Sequence, residues 1–148
     1  MIVHLITSFI ASAAFGVLFN APKKSLLKCG LVGMAGWSVY IILVNKEFDA
    51  VVASLVAAFV IAVISQIFAR MYKTPIIIFS VAGIIPLVPG GLAYDAMRHF
   101  VVNDYNGAMQ LAAKAFMISG AIAVGLVISE VLYQLLMKIK FRRKERAN

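Results

Sequence analysis

Five runs of apolar residues, separated by short polar segments, dominate the pattern of the chain. The first, third and fourth runs contain no charged side chain, the second contains only Lys28, and the fifth contains Lys114 and Glu130. A helix rises ~1.5 Å per residue and the hydrocarbon core of a bilayer is ~30 Å thick, so about 20 apolar residues can span it. The pattern therefore predicts an all-α integral membrane protein, a bundle of about five transmembrane helices forming one domain (residues 1–148), with spans at residues 2–19, 26–44, 50–69, 76–94 and 112–137.

The composition supports this class. Hydrophobic residues make up 63% of the 148 residues and charged residues only 14%, with a mean hydropathy of +0.97. A soluble domain carries roughly 45–50% apolar and about 25% charged residues, so a water-soluble globule is excluded. The single cysteine, Cys29, has no partner for an internal disulfide and no neighbouring metal ligands. No metal site and no cofactor are expected.

The basic residues alternate between the polar segments. Residues 20–28, 70–73 and 138–148 hold three, two and six Lys or Arg, whereas residues 45–49 and 95–107 hold one each. By the positive-inside rule, this asymmetry predicts an N-terminus outside and a basic tail, residues 138–148, in the cytoplasm. The net charge of +8 is accounted for by the basic residues that set the topology. Nucleic-acid binding is not expected, because the basic tail is not joined to a folded domain that could bind nucleic acid.

The fourth run contains four helix-breaking residues within six positions: Pro86, Pro89, Gly90 and Gly91. Proline lacks an N–H and clashes with the preceding turn, so this segment predicts a broken helix. Irregular backbone at membrane depth is tolerated where protein buries it or where it lines a wet cavity, as in transporters. The alternative is a simple kink or a helix end.

Three polar residues are further candidates for a substrate pathway. Asn20 follows the first run, and Tyr94 and Asp95 follow the proline-glycine segment. The alternatives are an aromatic-belt role for Tyr94 and an interfacial position for Asp95.

Glu130 is the only acidic residue deep within a run and is a candidate to carry a coupling proton. The alternative is an interfacial carboxylate that pairs with a lysine of the tail. Ser65 and Gln66 are weaker candidates for hydrogen bonding to a substrate.

Signatures of enzyme chemistry are missing from the sequence. It contains no HExxH, GxSxG or Walker A motif. One deep glutamate and two scattered histidines, His4 and His99, are too few for an intramembrane enzyme acting on lipid, so the chain is not expected to be an enzyme. Because the sequence has no nucleotide-binding motif, the expected motive force for transport is the proton gradient.

Two motifs resemble a known family. Residues Phe15–Pro22 (FGVLFNAP), with Cys29 and Gly33, resemble the start of the small subunit of the split, two-component form of the threonine/serine exporter family. Residues Ile85–Gly90 (IPLVPG), followed by Tyr94, resemble the proline-glycine motif of that family. The resemblance extends over nearly the whole chain.

This resemblance implies a multi-pass protein of the bacterial inner membrane that acts with a larger partner subunit. The expected substrates are small polar metabolites, either threonine and serine or succinate-type dicarboxylates. The competing hypothesis is a non-catalytic scaffold that stabilises a membrane partner. It predicts that substitutions at the break change the abundance of the partner rather than transport.

Overall fold

The computed structural model describes residues 2–145 and the side chains of residues 2–139. Within that part of the chain all regular structure is helical, as predicted. A short 3₁₀ segment, Ile85–Leu87, follows the fourth helix. The six α-helices are α1 (Ile2–Leu18), α2 (Lys23–Asn45), α3 (Ala50–Tyr72), α4 (Ile77–Ile84), α5 (Gly90–Val101) and α6 (Tyr105–Glu145).

Three helices, α2, α3 and α6, are long and apolar enough to cross a membrane. Helices α4 and α5, with the 3₁₀ segment, form a fourth apolar unit that is bent by 49° at the proline-glycine motif. Helix α1 is apolar but has only 17 residues, about 26 Å of helix. The structure thus shows a helical, multi-pass membrane protein, while the count of five spans and the orientation stay predictions.

The region after the break differs from the sequence-based prediction. Residues 95–107 were expected to be a polar segment between the fourth and fifth spans, but α5 continues to Val101 and α6 begins at Tyr105 rather than near Ala112. The charges of Asp95 and Arg98 favoured a polar loop in the sequence-based prediction. In the structure, α5 instead buries Ala96 and packs on α6. The polar connection is therefore only three residues long. Helix α6 also continues into the basic tail as far as Glu145, and the end of that tail, residues 146–148, lies outside the described residues.

Four helices are followed by residues in the left-handed conformation. These residues have φ between 50° and 64° and lie one or two positions beyond α1, α2, α3 and α5: Asn20, Glu47, Lys73 and Asn103. A left-handed residue turns the chain sharply and lets the next N–H groups bond to the last carbonyl oxygens of the helix. At Lys73, the backbone N–H donates to the carbonyl of Ala69. The connections can therefore be short and the helices can pack as close neighbours.

Helix α2 lies at the centre of the bundle and packs against α1, α3 and α4. Its buried residues Cys29 and Val32 join Ile61 of α3 and Phe79 of α4 in one core. The small-residue stripe of α3 is also buried: Ala53, Ser54, Ala57, Ala58 and Ala62. Small side chains let helix backbones approach closely, which is how helices associate in lipid.

Helices α3 and α6 run parallel. Gly125 of α6 lies against the segment from Leu55 to Phe59 of α3, and Glu130 lies beside Gln66, further along both helices in the same direction. Two consecutive long helices can be parallel only if the chain between them returns to the starting side. Helices α4 and α5 together make that return, which supports treating them as one broken crossing.

The side chain of Asp104 stabilises the connection between α5 and α6. The stability of this connection is therefore expected to depend on pH. The Asp104 carboxylate accepts the N–H of Gly107 at 3.1 Å and lies 2.8 Å from Nδ1 of His99. The Gly107 N–H, and secondarily His99, hold the pKa of Asp104 below its usual range. A lowered carboxyl pKa stabilises the fold above the ordinary carboxyl range, and this contribution disappears as the pH falls through the lowered pKa.

We therefore expect protection of the Gly107 amide against hydrogen exchange to fall on acidification below about pH 4. Asp104→Asn should remove this pH dependence. Asp95→Asn serves as the control, because it changes a carboxylate on α5 that takes no part in this cap. If the fall in protection of the Gly107 amide persists in Asp104→Asn, another titrating group is responsible for it.

Candidate functional site

The break lies just beyond the middle of the bundle. Gly83, near the end of α4, packs between Val32 of α2 and Ile61 of α3. A Cβ atom placed on Gly83 would lie 2.7 Å from Cγ1 of Val32 and 2.9 Å from Cγ2 of Ile61. Ile61 is the midpoint of α3, which has 23 residues. The 3₁₀ segment follows directly, so α4 ends close to the middle of the bundle, whereas Val88 and Gly90 beyond it are exposed.

The backbone at the break has few hydrogen bonds of its own. Pro86 and Pro89 have no N–H, and the Val88 N–H reaches the carbonyl of Ile85 at 3.3 Å. No side chain caps the N-terminus of α5. In a helix the first N–H groups lack an acceptor four residues earlier, and they carry a partial positive charge. The first turn of α5 therefore presents N–H groups, at Gly91 and Leu92, that a ligand or water can bind.

Two glycines keep this helix end uncovered. Gly90 and Gly91 both have negative φ, so neither is required by the backbone conformation. A Cβ atom on either residue would meet no atom within 4 Å. The absence of side chains here therefore leaves open space next to the backbone rather than relieving a clash.

Gly90, but not Gly91, lines an open groove of about 350 Å³ between α5 and α6, which we call the break cavity. Its walls are small or apolar side chains, and its one hydroxyl, Ser119, donates to the carbonyl of Ala115 at 2.9 Å. The polar groups that face a ligand there are consequently those of the backbone. The lining residues are Val88, Pro89, Gly90, Ala93, Ala96, Ala112, Ala115, Phe116 and Ser119.

The predicted pathway residues do not all meet at the break. Pro86 lies within the 3₁₀ segment, while Tyr94 is 70% exposed on α5 and Asp95 is half-buried beside it; neither of these two lines the break cavity. Asn20 lies in the turn after α1, and its neighbours Phe19 and Ala21 line a separate cavity of about 200 Å³ against the N-terminal half of α4. Asn20 is thus close to the end of α4 opposite the break.

Glu130 is exposed and lines an open groove of about 250 Å³ near the end of α3, which we call the inner cavity. Its carboxylate accepts a hydrogen bond from Nε2 of Gln66 at 3.3 Å and one from Nε2 of Gln134 at 3.0 Å. Gln66 is 7% exposed and also donates to Ser129 at 3.4 Å. The lining residues are Gln66, Ala69, Arg70, Ile76, Glu130 and Tyr133.

Sequence reasoning missed Arg70 and Tyr133 as members of this cluster. Arg70 was counted only as a topology signal, and Tyr133 was not considered. The available signal was spacing, because Gln66 and Arg70 are four residues apart and Glu130 and Tyr133 are three apart. Such pairs lie on one face of a helix. What the sequence could not show is that these two faces oppose each other.

The described residues form a multi-pass helical bundle that contains a broken helix with an uncapped end, and broken helices at membrane depth recur in membrane transporters. The sequence profile of the family described as threonine/serine exporter, ThrE, matches residues 4–132. This match covers most of the chain, from the first turn of α1 through α5 and well into α6, so the chain belongs to the threonine/serine exporter family. No solved structure matches it.

Proposed function

We propose that the chain is a subunit of a secondary exporter in the bacterial inner membrane. It moves small polar metabolites, threonine- and serine-type amino acids or succinate-type dicarboxylates, and it acts with a larger subunit of the same family. It is a transporter rather than an enzyme. The observation that carries this proposal is the break itself, where the uncapped N-terminus of α5 adjoins the open groove between α5 and α6.

The chemistry of the break fits the substrates. Amino acids and dicarboxylates both carry a carboxylate, which favours the N-terminus of a helix because of its free N–H groups and its partial positive charge. A backbone site binds through dipoles rather than a full opposite charge, so release remains easy. Pro86, Pro89, Gly90 and Gly91 shape this site, and Asn20, Tyr94 and Asp95 supply further polar contacts along the pathway.

The surface of α5 supports a partner subunit. Helix α5 packs chiefly against α6, whereas α4 on the other side of the break packs against α1, α2 and α3. Several large apolar side chains of α5 are more than half exposed, including Met97 at 65%, Phe100 at 57% and Val101 at 72%. A broken helix that lines a substrate pathway has to be enclosed, and a second set of spans would enclose it.

The motive force is the proton gradient, and Glu130 is the residue proposed to carry the coupling proton. Replacing it with glutamine keeps the size of the side chain but removes the exchangeable charge. We expect Glu130→Gln to retain equilibrium exchange of substrate across the membrane while losing accumulation driven by a pH gradient. Glu47→Gln, in the exposed turn between α2 and α3, is the matched control and should behave as the unmodified chain does.

The direct test uses inside-out vesicles that contain the chain and its larger partner. An imposed proton gradient should drive uptake of threonine, serine or succinate into these vesicles, which is export in the orientation of the cell. A protonophore should stop it. If a gradient fails to drive any of the three solutes while exchange still occurs, proton coupling is wrong; if neither occurs, the transport function is wrong.

A further inference from the structure

A long apolar groove, open on one side, runs between α3 and α6; we call it the α3–α6 groove. Its volume is about 450 Å³. The two helices touch at Gly125, level with Leu55 to Phe59, and the groove begins where that close contact ends. Its apolar walls include Phe59, Val63 and Ile67 of α3 and Leu132 and Leu136 of α6.

The groove is as long as one leaflet of a bilayer is thick. Phe59, at one end, lies two residues from Ile61, the midpoint of α3, and Arg70, at the other end, lies eleven residues beyond Phe59. At ~1.5 Å per residue this distance is ~17 Å, while half of a ~30 Å hydrocarbon core is ~15 Å. A groove that extends from the middle of a span to its charged end therefore has the length of one acyl chain.

The end of the groove at Arg70 is positively charged. Arg70 is exposed and lines the groove, and Lys73 follows three residues later at the end of α3. One N–H group of Arg70 contacts the sulfur of Met137 at 2.8 Å, and Lys138 comes directly after Met137 on α6. Three basic residues from two helices thus stand where the groove reaches the end of the apolar spans.

Aromatic rings accompany the basic residues at this end. Cζ of Arg70 lies 5.1 Å from the ring centroid of Tyr133, and Nζ of Lys28 on α2 lies 3.0 Å from the ring centroid of Tyr72. A cation over an aromatic face keeps its full charge. Tyrosine side chains are enriched at the level of the lipid headgroups, which places Arg70 at the membrane interface.

Arg70 is not neutralised by another side chain that the structure describes. Among those side chains the only ion pair joins His99 and Asp104, at the connection between α5 and α6. The carboxylate of Glu130 accepts a hydrogen bond from Gln66 and lines the inner cavity rather than the α3–α6 groove. A guanidinium has five N–H donors, so Arg70 can bind an anionic oxygen at the end of the groove.

We propose that the α3–α6 groove binds one anionic phospholipid. Its phosphate lies at Arg70, with Lys73 and Lys138 beside it. One of its acyl chains lies along the groove as far as Phe59. Basic pockets between transmembrane helices at the headgroup level bind anionic lipids, and the open side of this groove lets a lipid enter from the bilayer. The inference goes beyond export, since a lipid in this groove holds α3 and α6 together whatever solute is transported.

A phospholipid fits this groove better than a free anion or a partner helix does. Free phosphate would bind the charged end but leave ~17 Å of apolar wall uncovered. A transmembrane helix of a partner has a diameter of about 10–12 Å and crosses both leaflets, whereas the groove is confined to one half of the span. The three occupants differ in the tests that they would pass.

The first test measures binding of phosphatidylglycerol to the purified full chain in a neutral detergent. Binding should saturate at one tightly held lipid per chain. We expect Arg70→Gln to raise the half-saturating lipid concentration by about tenfold or more, the effect of losing one hydrogen bond between charged groups. The matched control replaces Arg142 and Arg143 of the basic tail with glutamine, and it should change this concentration little. Equal half-saturation in Arg70→Gln and the unmodified chain, or a larger loss in the tail variant, would overturn the site.

A second pair of variants tests the apolar part of the groove. Ile67 lines the groove and is 51% exposed, so Ile67→Trp fills the groove without disturbing the buried core. It should weaken binding of phosphatidylglycerol. Val52→Trp is the matched control, because Val52 lies on the same helix, is 48% exposed and does not line the groove. Equal binding by the two variants would mean that no acyl chain lies along this groove.

A third test uses the unmodified chain and does not depend on how the variants fold. A ligand that binds only the folded state raises the midpoint of thermal unfolding. Phosphatidylglycerol should raise it more than phosphatidylcholine, which has the same acyl chains but no net charge, and more than glycerol phosphate, which has the charge but no acyl chain. An equal effect of phosphatidylcholine would contradict recognition of the charge, and an equal effect of glycerol phosphate would assign the site to a free anion.

The last test asks whether the lipid remains when the larger subunit is bound. The assembled exporter, purified in the same detergent, should retain one phosphatidylglycerol for each copy of this chain, and Arg70→Gln should lose it. If the isolated chain binds the lipid but the assembled exporter excludes it, and a cross-linker attached at position 67 reaches the partner, a helix of the partner occupies the groove. That result would overturn the proposal.

Discussion

Replacing Gly125 with leucine should separate α3 from α6 and abolish export. A Cβ atom on Gly125 would lie 2.5 Å from the backbone carbonyl oxygen of Leu55 and 3.2 Å from the backbone nitrogen of Phe59. Backbone atoms within a helix cannot move aside as the end of a side chain can, so the whole helix has to shift. Forcing extra atoms into a packed interface costs about 1–3 kcal/mol, and sometimes more. The inner cavity, which α3 and α6 form together, should be lost as well.

The chain offers a matched control on the same helix. A Cβ atom on Gly120 would meet no atom within 4 Å, so Gly120→Leu should leave the packing of α6 unchanged. It should even gain slightly, because glycine in a helix interior is about 1 kcal/mol less favourable than alanine. Thermal unfolding of the purified chain by itself compares the two variants. Similar melting temperatures for both would mean that the close approach at Gly125 does not hold the two helices together.

Closing the break should have a comparably large effect, on transport rather than on stability. Pro89→Ala restores an N–H and allows regular helix across the break, and Gly90→Leu fills the break cavity with a side chain. Each should reduce efflux to the level of cells that lack the chain. Membrane insertion should be retained, because Gly90 and Gly91 take no part in the packed core and Pro89 lies at the edge of the cavity.

Pro75→Ala is the matched control for the proline, because Pro75 lies before α4 and outside the break. Efflux and the amount of each subunit in the membrane are measured together. Normal efflux from both break variants would remove the break cavity from the pathway. A fall in the abundance of the partner, with the remaining complexes exporting at the normal rate per molecule, would favour the scaffold hypothesis.

The membrane-spanning character of the fold and the position of the break could be predicted from sequence because both have local causes. A run of about 20 apolar residues and a cluster of prolines and glycines act on the chain where they stand. The extent of α5 could not be predicted in this way. Asp95, Arg98 and His99 lie on α5 among apolar residues, and only the packing of α5 on α6 shows that their segment is helical.

The candidate sites also differ in whether local sequence or the packing of distant helices forms them. Pro86, Pro89 and Gly90 are adjacent in sequence, and the structure places them together at one break. The cluster around Glu130 depends on α3 and α6 lying parallel with Gly125 at their closest approach. That arrangement joins Gln66 to Glu130 across 64 residues of sequence. A pattern within one helix can indicate which side chains share a face, but it does not identify the face opposite.

Efflux from preloaded cells tests most directly the claim that this chain is one part of an exporter. Cells that produce this chain alone, its larger partner alone, or both are loaded with threonine, serine and succinate. Release into the medium is then followed over time. The account predicts rapid release of at least one of these solutes only when both proteins are present. Equal release from all three strains, with both proteins detected in the membrane, would contradict it.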